Sequence, residues 1–208
     1  MAWRGCYLSA MLKTTRQGKP ESGRQRQGIS LDEFIHETMR IPAGELKLTQ
    51  LEELFLQLTL PQALIEQHVR FADPSYCRSL LCRTPRFDML VLGWRRGQLS
   101  TIHDHIGSLN CTKVISGTLQ QRIFRAVDAG KTGKVAVKMI EDERVEAGAL
   151  TRLDEGGIHQ MGNLDPQSLV TLHVYAAPLS EITVYEPETM RSFKKRLRYS
   201  LEDEFVVV

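Results

Sequence analysis

The spacing of apolar residues changes character once along this chain. Up to about residue 70 it follows the period of a helix. Ser30 stands before Leu31 and is followed three residues later by Glu33, the reciprocal capping arrangement that opens a helix, here predicted to run to about Met39. Leu51, Leu54, Phe55 and Leu58 recur at i, i+3, i+4 and i+7, one apolar face of a second helix over 49–58. Pro61 is suited to start a third, running toward Val69. Helices with one apolar face need a larger body to pack on.

That body is predicted after Pro74, where the period drops to two. β-rich runs at 87–94, 111–115, 118–124, 135–140, 149–153, 168–174 and 182–185 read as strands. Turn-forming residues separate them at Gly97, Gly107, Gly117, 128–133, Gly156-Gly157 and Asp165-Pro166. Many short strands at close spacing predict an antiparallel barrel or sandwich. The last stretch, 190–208, mixes Lys194, Lys195, Arg196 and Arg198 with Glu202, Asp203 and Glu204. It is expected to lie over the barrel as an edge strand or helix, or to trail off.

Length and composition narrow this picture. The 208 residues suit one domain of ordinary size, ~100–200 residues, plus helical decoration. The domain is placed at 29–208, with the helices in about 30–70 and the barrel in about 75–190. Residues 1–28, with Arg4, Lys13, Arg16, Lys19, Arg24 and Arg26 among Gly, Ser and Gln, read as a disordered basic arm. A net charge of +2 from 27 basic and 25 acidic side chains gives no footprint for nucleic acid. No apolar run approaches the ~18 residues of a membrane span. The four cysteines, Cys6, Cys77, Cys82 and Cys111, form no CxxC pair, which fits a reducing compartment, and a cytoplasmic location is expected. Nothing in the sequence sets the oligomeric state, and a monomer is compatible with it.

The candidate chemistry is carried by histidines. His103 and His105 stand two apart at a strand or its start, so both rings leave the same face and converge on one ion. His159 follows the Gly156-Gly157 turn, and a barrel brings such distant segments side by side. Three imidazoles suit iron, zinc, nickel or copper better than magnesium or calcium. His36 and His68 lie in the helical region and are not counted as ligands.

The spacing resembles the cupin superfamily. Gly97, His103, His105 and Gly117 match its first motif and Gly148, Gly156, His159 and Asn163 its second. Two positions depart: Asn110 stands at the usual glutamate ligand and Asp154 at the motif proline. A site of three neutral imidazoles leaves a divalent ion its full charge and so favours an anionic substrate. Within the cupins, residues 76–178 resemble the cysteine dioxygenase family of thiol dioxygenases. Tyr76-Cys77-Arg78, Ser100-Thr101-Ile102-His103-Asp104-His105, His159 with Asn163, and Thr171-Leu172-His173-Val174-Tyr175 carry the likeness.

The resemblance implies an all-β core, the double-stranded β-helix or jelly-roll barrel of the cupins, with the helices at its N-terminal side. It implies mononuclear non-haem Fe(II) on His103, His105 and His159, and insertion of both atoms of dioxygen at a substrate thiolate to give a sulfinate. Arg78, with Tyr76 beside it, matches the position that binds the substrate carboxylate; arginine there points to L-cysteine. Tyr175 matches the active-site tyrosine, and His173 and Thr171 the groups that orient it. In animal members a cysteine at the site of Asn110 is linked to that tyrosine, a bond that Asn110 cannot form. Cys111 is one residue away and so turned to the other face; it is expected to stay free. The family's Ser-Pro-Pro is here Ala176-Ala177-Pro178, without the proline that can hold a cis bond. Two other readings stand beside L-cysteine oxidation: a dioxygenase for another small thiol such as 3-mercaptopropionate, and a non-catalytic metal-binding cupin.

Overall fold

The computed structural model describes residues 28–128, 134–199 and 201–202. The basic arm read at 1–28 therefore lies outside the described residues, Gly28 excepted. Three helices come first: α1 (Leu31–Arg40), α2 (Leu48–Gln57) and α3 (Gln62–His68). Then come β1 (Cys77–Arg83), β2 (Asp88–Trp94), β3 (Ile102–Asp104), β4 (Leu109–Ser116), β5 (Thr118–Asp128) and β6 (Val135–Glu146). The chain continues through β7 (Leu150–Leu153), β8 (Ile158–Gly162), β9 (Leu169–Ala176), β10 (Glu181–Glu186), β11 (Arg191–Arg196) and β12 (Leu201–Glu202). Among the described residues, no helix is long and apolar enough to cross a membrane.

The strands form two sheets, ordered β12-β1-β2-β9-β4-β7 and β11-β10-β3-β8-β5-β6. Running to one edge of each, β2-β9-β4-β7 and β3-β8-β5-β6 interleave early and late parts of the chain. That interleaving is the jelly roll, two antiparallel sheets wrapped around one interior, as the cupin resemblance implied. All pairings are antiparallel except the short β12 against β1.

Strand β9 is buried along its whole length, which an antiparallel strand achieves only if both faces are covered. Val170, Leu172, Val174 and Ala176 face the helices, in one apolar cluster with Phe34, Leu51, Phe55 and Ile65. Leu169 and Tyr175, on the other parity, belong to the interior cluster with Leu90, Leu92, Trp94, Ile182 and Val184. The helices are thus the outer cover of the first sheet. Ser30 caps α1 as expected: its hydroxyl accepts the Glu33 amide at 3.2 Å, and the Glu33 carboxylate accepts the Ser30 amide at 2.7 Å. Phe34 then packs at a tilt against Phe55 of α2 and edge-on to Phe87, with ring centroids 6.1 and 5.3 Å away. An ion pair between Glu52 and Arg152 fastens α2 to β7.

Gly117, the closing glycine of the first motif, is needed for two reasons at the β4–β5 turn. Its φ is +82°, and a Cβ there would lie 2.8 Å from the Ser168 carbonyl oxygen. The C-terminal stretch is an edge element twice over. β11 pairs with β10 in the second sheet, and β12 ends on β1 in the first, so residues 197–199 pass from one sheet to the other. Leu197 and Tyr199 pack on the interior cluster as they cross.

Candidate metal centre and active site

Register brings the histidines together. His103 of β3 is the direct antiparallel partner of His159 of β8, and directly opposed residues share a face. His105 follows at the same parity, one residue past the end of β3. The three ring centroids stand 4.8, 4.7 and 4.8 Å apart, and their ligand-capable atoms lie within 4.8 Å of one another. Asp104, between the pair, faces the other way. Its carboxylate accepts the Thr183 amide at 3.3 Å and the Tyr185 hydroxyl at 2.7 Å, tying β3 to β10.

The protonation of these rings suits metal binding. All three are buried. Burial pushes His103 down to about 4, with Arg78 nearby adding to the effect, and holds His105 and His159 well below the ordinary imidazole value. Neutral imidazole is the form that ligates. His103 Nδ1 lies 2.8 Å from the Thr101 carbonyl oxygen and donates to it, which leaves its Nε2 lone pair for the centre. His105 Nδ1 and both nitrogens of His159 are buried with no hydrogen-bond partner. Buried polar atoms are ordinarily satisfied, so this donor set fits a divalent ion between the rings. Asn110 takes no part in the trio: its amide donates to the Val174 carbonyl at 3.2 Å.

The first sheet faces the trio with a hydrogen-bonded chain. Thr171, His173 and Tyr175 alternate along β9 and share its inner face. The Trp94 indole can only donate, and it donates to Thr171 Oγ1 at 2.9 Å. The Thr171 hydroxyl is then the donor toward His173 Nε2 at 2.8 Å, so the His173 proton sits on Nδ1. That N–H points to Thr112 Oγ1 at 3.0 Å and Tyr175 Oη at 3.3 Å. Thr112 in turn donates to Asn110 Oδ1 at 3.3 Å. Burial lowers His173 to about 3, with Arg78 contributing, so this ring too is neutral. The Tyr175 ring stands edge-on to His105 at 5.1 Å and 88°, and there the two sheets' contributions meet.

Arg78 of β1 is in register with Leu92, whose side chain belongs to the interior. Its guanidinium carbon lies 5.9 Å from the Tyr175 ring centroid and 6.0 Å from that of Tyr199. Tyr76 stacks on Trp94 at 4.0 Å and 19°. The structure therefore places Arg78, Tyr76, Thr171, His173 and Tyr175 on one wall and His103, His105 and His159 on the other.

Asn110 is the direct partner of Tyr175, and Cys111 the partner of Val174. Cys111 accordingly faces the helices, is free, and has its thiol pushed up to about 12 by burial. The Ala176–Ala177 peptide bond is cis although no proline stands there, and the Ser108 hydroxyl donates to the Ala177 carbonyl at 2.6 Å. His36 is exposed on α1. His68 is buried, more so than a histidine in an amphipathic helix suggests; its Nδ1 meets the Leu64 carbonyl at 2.8 Å and its Nε2 has no hydrogen-bond partner. Trp94, Thr112 and Tyr199 were not singled out from the sequence. The first two read as ordinary strand positions, and a tyrosine in a charged tail carries no local signal.

Comparison with known proteins follows the same residues. The sequence model of the family described as Cysteine dioxygenase type I matches residues 62–188. Human cysteine dioxygenase type 1 is 27% identical over 124 residues, covering 59% of this chain and 61% of its own length. The zebrafish (Danio rerio) protein of the same name is 25% identical over 126 residues, 58% of this chain and 60% of its own. The match thus spans about three-fifths of the length of these relatives. Among solved structures, a double-stranded β-helix protein from Klebsiella pneumoniae aligns with a TM-score of 0.43 at 21% identity, over 54% of this chain and 80% of its own.

Proposed function

The chain belongs to the cysteine dioxygenase type I family, whose sequence model covers more than half of it, and from that premise we propose an Fe(II)-dependent thiol dioxygenase that oxidises L-cysteine to cysteine sulfinic acid. The observation that carries the reading is the pairing of two walls. Three buried neutral imidazoles, two of them with unpartnered nitrogens, face an arginine and a hydrogen-bonded tyrosine across one interior.

In this reading His103, His105 and His159 hold the iron, which when bound supplies the electron transfer that lets dioxygen react with a thiolate. Three neutral ligands leave its charge uncompensated, and a thiolate answers it. The net reaction adds both atoms of one dioxygen to the substrate sulfur, giving a sulfinate from a thiolate with no other reductant. Arg78 grips the substrate carboxylate through paired, charge-assisted hydrogen bonds and so fixes the direction of the thiolate. Tyr175 is held by the His173 N–H, so its own hydroxyl proton is directed away from His173 and is available to substrate or oxygen. Leu90, Leu92, Ile182 and Val184 keep the surroundings dry, which strengthens each of these polar contacts.

The test is anaerobic reconstitution with Fe(II), followed by oxygen uptake with L-cysteine, 3-mercaptopropionate and cysteamine and identification of the product by mass. The expected result is one dioxygen consumed per sulfinate formed, fastest with L-cysteine. Absence of uptake with every thiol overturns the proposal.

A further inference from the structure

Arg78 lies between two aromatic rings, and only one of them belongs to the stretch that matches the family. Tyr175 is within residues 62–188; Tyr199 is beyond it. Tyr199 comes from the crossing segment between β11 and β12, which leaves the second sheet and ends against β1, the strand that carries Arg78. The guanidinium carbon stands about equally far from the two ring centroids, 5.9 and 6.0 Å, within reach of the negative face of each.

Tyr199 is itself pinned. Its hydroxyl donates to Asp88 Oδ2 at 2.9 Å and accepts from Arg83 Nη2 at 2.8 Å. Arg83 also grips Asp88 from two nitrogens, at 2.8 and 3.0 Å, across the β1–β2 register pair Arg83 and Asp88. Both oxygens of this buried carboxylate are thereby occupied, so Asp88 offers Arg78 no competing anion. The ring cannot swing without breaking two hydrogen bonds to charged groups.

We propose that Tyr199 is a positioning residue: the crossing segment sets its ring against Arg78 and thereby aims the guanidinium at the carboxylate of the substrate. The proposal rests on the thiol dioxygenase reading given above. It makes the C-terminal segment a determinant of selectivity for carboxylate-bearing thiols over those without one.

The experiment compares wild type, Tyr199→Leu and Tyr199→Phe as Fe(II)-loaded full-length proteins, with L-cysteine, 3-mercaptopropionate and cysteamine. Tyr199→Leu is expected to raise KM for the two carboxylate-bearing thiols about five- to tenfold, to shift KM for cysteamine far less, and to leave kcat within about twofold. Tyr199→Phe keeps the ring without the two hydrogen bonds that pin it and recovers part of the loss. Equal loss for cysteamine, an unchanged KM for L-cysteine, or a Phe variant no better than Leu overturns the proposal. A second readout is free of the Leu variant's folding. In wild type labelled with 3-fluorotyrosine, the fluorine resonance that is missing from Tyr199→Phe moves on anaerobic addition of L-cysteine and stays still with cysteamine. A resonance that does not move with L-cysteine overturns the proposal, whereas a resonance that moves without oxygen uptake overturns the dioxygenase reading and leaves the recognition of the carboxylate established.

Discussion

Thr171 serves two buried partners with one hydroxyl: it accepts from the Trp94 indole and donates to His173 Nε2. Thr171→Val keeps the shape and removes both bonds, leaving an indole N–H and an imidazole nitrogen unsatisfied in the interior. Urea unfolding should show a loss of about 1–3 kcal/mol, Thr171→Ser should restore most of it, and kcat should fall because the His173 tautomer is no longer fixed. Arg78→Gln has a different signature. It keeps two hydrogen-bonding groups and removes the charge, so KM for L-cysteine should rise about 10- to 100-fold while cysteamine is affected much less. Steady-state kinetics with both thiols separates the two changes, since the first acts on kcat and stability and the second on KM.

Elements, not single residues, decide how firmly this wall is held. The chemistry of β9 is on one parity and its anchoring on the other, where Val170, Leu172 and Val174 meet the helices. Phe34 is the hinge of that anchorage, with no exposed surface and two aromatic neighbours. Phe34→Ala should cost about 3–5 kcal/mol in chemical unfolding with the metal trio on the other sheet still able to load iron, as elemental analysis would show. α2 was readable from its period, α1 from its capping residues and α3 from Pro61, while β2, β4 to β7, β9 and β10 stood out as β-rich runs between turn residues. β1 did not, since a register shift between Leu80 and Cys82 breaks its alternation. β8 is five residues long, starts straight after a glycine pair and is buried at all but one position. β11 is exposed throughout and polar but for Phe193, so as sequence it left edge strand, helix and tail open.

At the scale of the molecule, the three histidines could be brought together on paper because motif spacing encodes the β3–β8 register. The wall of Arg78, His173 and Tyr175 was legible only through family likeness. Trp94, Thr112 and Tyr199 join it through contacts 77, 61 and 111 or more residues apart in sequence, and no local pattern records such distances. The core also predicts how the whole unfolds. Burial, with the charges of Asp88 and Asp32, raises the Cys82 thiol to about 11, and burial alone raises Cys111 to about 12. Raised thiols stay protonated at neutral pH and react slowly, so alkylation of Cys82 and Cys111 in native protein should be negligible. Mass spectrometry should find both labelled together at the denaturant midpoint, as one cooperative step.

The two walls belong to different sheets: the imidazoles come from the β3–β8 ladder, and Arg78, His173 and Tyr175 from β1 and β9. Among the described residues, no backbone ladder joins them. Under the proposed function, a lineage built on this plan exchanges its substrates by editing one sheet while keeping its metal ligands unchanged on the other, like a lock whose tumblers and bolt are cut from separate plates.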